Sequence, residues 1–366
     1  MPPKLFFLLP LLVLAAGQAY VSRRLWMLLP LPNVVKVAVL VLMAVAVVCF
    51  FIPFLPFLSF TNSLPLGLMR CIYQTGCSWL VILLYLFLTF LVCDIARWTK
   101  LMPQNWMTAN PVTSGVLLLS FVLLFVYAHL HYDHKQRVEL NVDTRGKLSH
   151  PVRLVMVSDL HLGYHNTRSD LHRWLQLLLD EKPDAILIAG DIIDGSYRPV
   201  REERMAEEFR ELSIPVIACV GNHDYLTGID NDMEFCKEAN IQVLRDSTLT
   251  LGNLLIAGRD DRMNPHRKPL KVILKNADRS KYILELDHQP YHLEQAEQAG
   301  VDFEFSGHTH RGQIWPFNWV TDAVYEDSFG PWQRGNTQYY VSSGLGIWGP
   351  KFRIGTQSEY VVLNLH

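Results

Sequence analysis

The chain has 366 residues, half of them hydrophobic and 19% charged, with a formal net charge of −2. No basic block is present to take nucleic acid, and six scattered cysteines without a CxxC exclude a zinc finger or a dense disulfide framework. Nearly all the charge lies after His131, so two units are expected, an apolar one followed by a polar one.

Four apolar stretches, 5–21, 37–60, 79–93 and 112–130, approach or reach the length that crosses a bilayer of about 30 Å as helices. VAVLVLMAVAVVCFF and WLVILLYLFLTFLVC are apolar all round, whereas a core helix of a water-soluble domain keeps a polar face. Trp26, Trp79, Trp98, Trp106 and Tyr132 fall near the ends of the stretches, where interfacial aromatics belong, and Pro53 and Pro56 disturb the end of the second. No ionisable residue sits deep within a span, which points to an anchor among membrane lipids rather than a transport path. Residues 1–131 therefore read as an all-α membrane anchor of four transmembrane helices, multi-pass in the cell (inner) membrane.

Lys4 ahead of a run ending in Gly17-Gln18-Ala19 also reads as a cleaved signal peptide, but Arg23 and Arg24 are better explained as cytoplasmic retention signals. Lys36, Arg97 and Lys100 fall on the same side as that pair and Arg70 on the other. Four spans then leave the second unit extracytoplasmic, although Lys135, Arg137, Arg145 and Lys147 crowd that outer end. Cys71 and Cys77 flank a short loop on that outer side, where they would either close a disulfide or remain thiols.

Residues 132–151 are polar and read as a linker. From Pro151 onward, β-rich runs alternate with amphipathic segments: RLVMVSD, a helix near 169–181, AILIAGD, a helix near 200–212, then PVIACVGNHD. A helix near 230–239, IQVL, LLIAG, YILELDH, a helix near 291–299, FEFSGHTH, and the strand-like YYVSSGLGIWG and YVVLNLH complete the series. The pattern predicts an α/β domain over 152–366, a four-layer αββα sandwich.

Five motifs follow strands at their carboxyl ends, the edge where open α/β sheets place their sites. Asp159-Leu160-His161 brings a carboxylate and an imidazole towards one ion. Gly190-Asp191 supplies a carboxylate whose two oxygens can serve two cations, with Asp194-Gly195 closing the turn. Gly221-Asn222-His223-Asp224 offers an amide oxygen beside an imidazole able to donate a proton. His288 ends YILEL, and Gly307-His308-Thr309-His310 adds two more imidazoles. A lone histidine of this kind is more often a capped or surface residue; the ordered set DxH, GDxxDG, GNHD, DHQP and GHTH is metal chemistry.

In this order the motifs resemble those of the calcineurin-like metallophosphoesterase family, over about residues 152–365, and GQIWP and SSGLG resemble its membrane-attached bacterial branch. The resemblance implies one metal held by Asp159, His161, Asp191 and His310 and a second by Asp191, Asn222, His288 and His308, with Asp191 bridging. It leaves His223 metal-free beside the leaving group, with Asp224 orienting it. Arg311 stands where that branch often has glycine, and reads either as a phosphate contact or as a solvent-facing residue. The implied activity is hydrolysis of a phosphodiester, phosphomonoester or pyrophosphate, with two divalent metal ions (Mn, Fe or Zn) generating the hydroxide that attacks phosphorus. The anchor favours a lipid or lipid-linked envelope ester as substrate. The alternative is a catalytically silent metal-binding sensor or interaction protein at the membrane.

His165, His172, His266 and His292 read as surface residues, His129, His131 and His134 as interfacial, and Glu202, Glu203, Glu207 and Glu208 as a polar helix face. Arg259, Asp260, Asp261 and Arg262 reach the same sheet edge, either lining the cleft or forming a surface loop.

Overall fold

The computed structural model describes residues 3–54, 61 and 63–366, with side chains from Leu9 onward and Phe54 excepted. Two compact units meet in sequence between Tyr127 and Ala128. Among the described residues of the first, three helices are long and apolar enough to cross a membrane, Asn33–Phe51, Leu66–Trp98 and Pro111–Asp133, the last running on into the second unit. Val34, Leu42, Val112 and Leu118 on them are exposed, as a lipid-facing surface requires. The first expected span lies within the helix Pro3–Leu28, part of whose side chains fall outside the described residues. Its second half is polar on one side: Gln18 accepts from the Trp79 indole at 3.0 Å, and Tyr20 and Arg24 both reach Asp94. Cys71 and Cys77 lie on the one continuous helix Leu66–Trp98 rather than in a loop, and both are thiols.

The second unit is built on twelve strands: β1 (Lys135–Val142), β2 (Val152–Val157), β3 (Ala185–Ala189), β4 (Val216–Cys219), β5 (Ile241–Val243), β6 (Ser247–Leu251), β7 (Leu254–Gly258), β8 (Tyr282–Leu286), β9 (Phe303–Ser306), β10 (Gly330–Arg334), β11 (Thr337–Val341) and β12 (Ser358–Leu365). They form two six-stranded sheets, ordered β1-β12-β2-β3-β4-β5 and β10-β11-β9-β8-β7-β6. Both are mixed: β2 to β5 run parallel and so do β7, β8, β9 and β11, with antiparallel pairs at β12/β2, β10/β11 and β6/β7.

Period-two alternation sorts each strand's side chains between two faces. Leu154, Met156 and Leu187 of one sheet meet Ile256, Leu284, Phe303 and Phe305 of the other in a shared core. Val155, Val157, Ile186 and Ile188 face the other way, onto Leu171, Trp174 and Leu178 of the helix Arg168–Leu179 and onto Phe209 and Phe235. Behind the second sheet, Leu255, Ala257 and Ile283 pack on Leu270, Leu274 and Leu293. Covering on both faces explains why β3, β7 and β8 are buried along their whole length and read as continuous apolar runs.

The segment expected to be a linker, 132–151, is a correction, because it contains β1. Lys135-Gln-Arg-Val-Glu-Leu-Asn-Val pairs in parallel with β12 along all eight residues, from Lys135 opposite Ser358 to Val142 opposite Leu365. The polar residues are the solvated face of an edge strand, while Val138, Leu140 and Val142 pack against the core between the sheets. The second unit also begins inside the last helical turns: the Arg353 backbone N–H donates to the Ala128 carbonyl at 3.0 Å, and the Tyr132 hydroxyl to Asn166 at 2.7 Å. A fragment starting at residue 152 is therefore expected to aggregate or melt well below one starting at 128, measured by thermal unfolding and light scattering.

Glu285 and Glu304 lie opposite each other on β8 and β9, both buried. Burial, against the pull of Arg259, pushes the Glu285 carboxyl up from an ordinary 4.5 to about 8. A carboxyl raised in the folded state contributes stability in full below 4.5, and that contribution is lost as pH climbs through about 8. Glu285→Gln should flatten this decline, so its thermal midpoint falls less than the parent's between those limits. An equal fall in both would contradict the assignment.

Candidate metal centre

The carboxyl ends of β2, β3, β4, β8 and β9 deliver all seven expected ligands to one place. Backbone bonds stitch the loops together: Asp159 N–H to Gly190 O at 3.1 Å, His161 N–H to Asp191 O at 3.0 Å, and Gly346 N–H to Asp159 O at 3.0 Å. The second sheet is tied in where His288 Nδ1 donates to the Ala189 carbonyl at 2.8 Å, which turns its Nε2 towards the cluster. Asp159, His161, Asp191 and His288 are at most 1% exposed.

Five of these residues, Asp159, His161, Asp191, His308 and His310, have φ between 45° and 69°. Side chains other than glycine rarely adopt this left-handed conformation, and each instance costs on the order of 1 kcal/mol or more. Strain concentrated on every second residue of DxH and HxH turns the pairs of side chains inward from a sharply bent chain. Gly221 serves the same convergence. A Cβ there would collide with the Asp191 carboxylate and lie 2.6 Å from the Asp191 nitrogen. Gly221→Ala is expected to cost roughly 1–3 kcal/mol of stability by overpacking and to weaken metal affinity, read by thermal unfolding and metal titration. Unchanged affinity would contradict the packing argument.

The expected ligands fall into two sets, and a third group, His161, Asp194 and His223, overlaps the first. Asp159, His161 and His310 offer ligand atoms all within 4.8 Å of one another, and so do Asp191, His288 and His308. In the first, His161 Nε2 faces His310 Nε2 at 3.0 Å and Asp159 Oδ1 stands 3.3 Å from the latter, while both Nδ1 atoms are buried without a hydrogen-bond partner among the described residues. In the second, His288 Nε2 lies 3.1 Å from Asp191 Oδ2 and 3.1 Å from Asn222 Oδ1. Asp191 spans the sets, since its Oδ2 is also 3.7 Å from His161 Nε2. Imidazole nitrogens and carboxylate and amide oxygens converge here, and a divalent cation satisfies such a donor set. The donors fit a metal of borderline or hard character, with imidazole, carboxylate and amide oxygen and no thiolate.

Burial holds His308 down at about 4 and His310 at about 3, so both imidazoles are neutral near pH 7 and their lone pairs available. His288 shifts the other way: burial lowers it, but the Asp191 carboxylate outweighs burial and holds the proton on. Binding a cation on that side therefore releases a proton.

His223 lies at the edge of the cluster, its ring 4.7 Å from that of His161, and only partly buried. Its Nδ1 is 2.7 Å from Asp194 Oδ1. Burial disfavours the imidazolium, but the hydrogen bond to Asp194 and the charge of Asp191 outweigh it and raise His223 to about 9. The expectation that Asp224 orients His223 is corrected here. The Asp224 carboxylate accepts the backbone N–H groups of Gly221 at 2.7 Å, Ile192 at 2.8 Å and Asp191 at 3.0 Å, so it clamps two site loops and leaves the histidine to Asp194.

Asp194 is the residue that sequence reasoning passed over, having assigned it to closing a turn; its place three residues past Asp191 in GDxxDG was the available signal. Trp348, whose ring is 6.5 Å from His223, and Tyr325, 6.2 Å from His308, carried no signal at all. His165 is corrected from surface to core: it is 1% exposed, its Nε2 is 2.5 Å from the Ile347 carbonyl, and burial lowers it to about 4. Arg259, Asp260 and Asp261 are buried rather than a solvated loop, with Arg259 on Asp287 at 3.2 Å and Asp260 taking the Tyr225 hydroxyl at 2.6 Å.

Residues 152–312 match the calcineurin-like phosphoesterase family. An uncharacterized metallophosphoesterase of Campylobacter jejuni is 30% identical over 275 residues, covering 72% of this chain and 74% of that protein. Another, from Aquifex aeolicus, is 30% identical over 257 residues, covering 67% of this chain and 97% of its own. A zebrafish (Danio rerio) protein described as a transmembrane protein with metallophosphoesterase domain is 27% identical over 307 residues, covering 76% of this chain and 70% of its own.

Proposed function

Because this chain belongs to the calcineurin-like metallophosphoesterase family, we propose that it is a membrane-anchored phosphoric ester hydrolase whose centre holds two divalent cations. The observation that carries the reading is the pair of ligand sets joined through Asp191. In the proposed assignment Asp159, His161 and His310 would hold one cation, Asn222, His288 and His308 the other, and Asp191 would serve both. Such a pair supplies Lewis acidity and a nucleophile at neutral pH.

The chain's own groups do the rest. Asp194 fixes the His223 ring through Nδ1, so Nε2 presents its proton towards the departing ester oxygen, and Asp191 stabilises the imidazolium. Asp224 keeps the loops carrying Asp191 and Asn222 in register. Burial of Asp159 and Asp191 excludes water from the carboxylates and strengthens their hold on cations.

The proposed substrates are phosphodiesters, phosphomonoesters or pyrophosphates of lipids or lipid-linked precursors. Three apolar helices in the same chain support this. So does the segment 315–324, which leaves Trp315, Phe317, Trp319, Val320 and Val324 between 39% and 63% exposed immediately after the His310 loop. Aromatic residues of that kind favour the lipid–water interface. A four-helix anchor with the catalytic unit outside the cytoplasm completes the proposal. The full chain in detergent should hydrolyse an aryl phosphodiester or monoester when manganese is added, and more of a lipid ester in mixed micelles. Bound metal without turnover of any ester would favour the silent sensor instead.

A further inference from the structure

Two arginines, Arg311 beside His310 and Arg262 one aromatic pair away from His308, have no acceptor for their guanidinium groups among the described residues. Arg311 follows His310 directly, with its guanidinium carbon 4.4 Å from the centre of the Phe329 ring and its buried Nε without a partner among the described residues. The Arg262 guanidinium carbon lies 4.4 Å from the centre of the Tyr291 ring. Tyr291 in turn meets Tyr325, with ring centres 4.8 Å apart and hydroxyls 3.2 Å apart, and the Tyr325 ring stands edge-on to His308 at 6.2 Å. One segment thus carries Phe329 beneath Arg311 and Tyr325 against Tyr291, the ring beneath Arg262. It is pinned to the loop where the Thr309 hydroxyl donates to the Ser328 carbonyl at 2.7 Å.

Neighbouring arginines are used differently. Arg245 is bound to Asp260 at 3.0 Å, Arg259 to Asp287 at 3.2 Å, and buried Arg353 to the carbonyls of His310 at 2.8 Å and Ser343 at 2.5 Å. Two acids adjacent in sequence to these side chains are engaged elsewhere: Glu326 with Arg334 at 3.0 Å, and Asp261 with the Gln289 amide at 2.8 Å. A guanidinium stacked on a ring is held in place by its face, and its edge keeps a fork of donors that matches a phosphate or carboxylate.

We infer that Arg262 and Arg311 form an oxyanion subsite holding a second charged group of the substrate, apart from the phosphoryl group that is cleaved. The inference rests on the hydrolase reading and sharpens it. The preferred esters carry a second phosphate or a carboxylate, as a pyrophosphate or a headgroup with a terminal acid does.

The test uses the full chain in detergent with manganese and three p-nitrophenyl phosphodiesters whose second arm ends in a methyl, a carboxylate or a phosphomonoester. The parent should prefer the phosphate arm over the methyl arm by about tenfold or more in kcat/KM, through KM, the scale of one charge-assisted contact. Arg262→Ala and Arg311→Ala should each shrink that ratio several-fold, with lysine at either position restoring part of it. A carboxylate arm that follows the phosphate arm marks a general oxyanion site, and one that follows the methyl arm marks a phosphate site. Equal losses on all three arms, or no preference in the parent, overturn the inference. Equilibrium binding of inorganic pyrophosphate against orthophosphate reads the subsite without turnover: a preference lost in both alanine variants supports it, and equal binding by the parent overturns it. Failure of the parent to cleave even the methyl-armed ester defeats the hydrolase reading separately.

Discussion

Asp191→Asn should lower metal-dependent turnover by about three orders of magnitude or more, the scale expected when several kcal/mol of transition-state stabilisation is removed. The Asp191 carboxylate reaches both ligand sets: Oδ2 is 3.1 Å from His288 Nε2 and 3.7 Å from His161 Nε2, and Oδ1 accepts the His223 backbone N–H at 2.8 Å. Although burial opposes ionisation, His288 beside it holds the Asp191 carboxyl well below the usual carboxylate range, so the full negative charge is present at every pH of interest. Asparagine keeps the shape and the acceptor for His223 but removes the charge that the two proposed cations would share. Metal content measured on the purified variant should fall with activity. A variant that retains full metal and full turnover would contradict the bridging assignment.

His223→Ala should reduce kcat by about 10²–10⁴ on an alkyl ester, whose leaving oxygen needs a proton, and far less on a nitrophenyl ester, whose leaving group does not. Metal content should stay intact, because His223 belongs to neither ligand set built on Asp191 or Asp159; loss of metal would instead make it a ligand. Asp194→Asn gives the sharper test. The hydrogen bond to Asp194 is the leading contribution raising His223 to about 9, so the imidazolium survives through neutral pH and activity that depends on it declines only on the alkaline side. Removing the carboxylate leaves burial less opposed, His223 loses its proton at lower pH, and the alkaline limb of kcat on the alkyl ester moves towards neutrality. An unmoved limb in Asp194→Asn would show that His223 is not the titrating donor.

The convergence of the seven expected side chains is legible because metal chemistry restricts residue type and because strand ends announce themselves: an apolar run that stops at Asp, Asn or His is an uncommon pattern. What the sequence concealed has a physical cause in each instance. β1 was hidden because an edge strand has one wet face, and KQRVELNV looks like a polar linker until β12 is beside it. Asp194 and Asp224 exchanged roles because sequence adjacency favoured Asp224, whereas the turn after Gly221 points its carboxylate back onto backbone N–H groups. His165 looked like a surface residue because nothing local to it signals the Ile347 carbonyl, which arrives from 182 positions further along the chain. The stacking of Arg262 on Tyr291 and of Arg311 on Phe329 likewise depends on contacts between separate loops.

The most direct test of the dinuclear hydrolase is to strip the full chain with a chelator and titrate manganese back while following cleavage of an aryl phosphodiester. Turnover should be absent in the stripped protein and rise to a plateau at two equivalents of bound metal, and Asp191→Asn should never reach it. Turnover that persists after stripping, or two bound metals with none, would contradict the account.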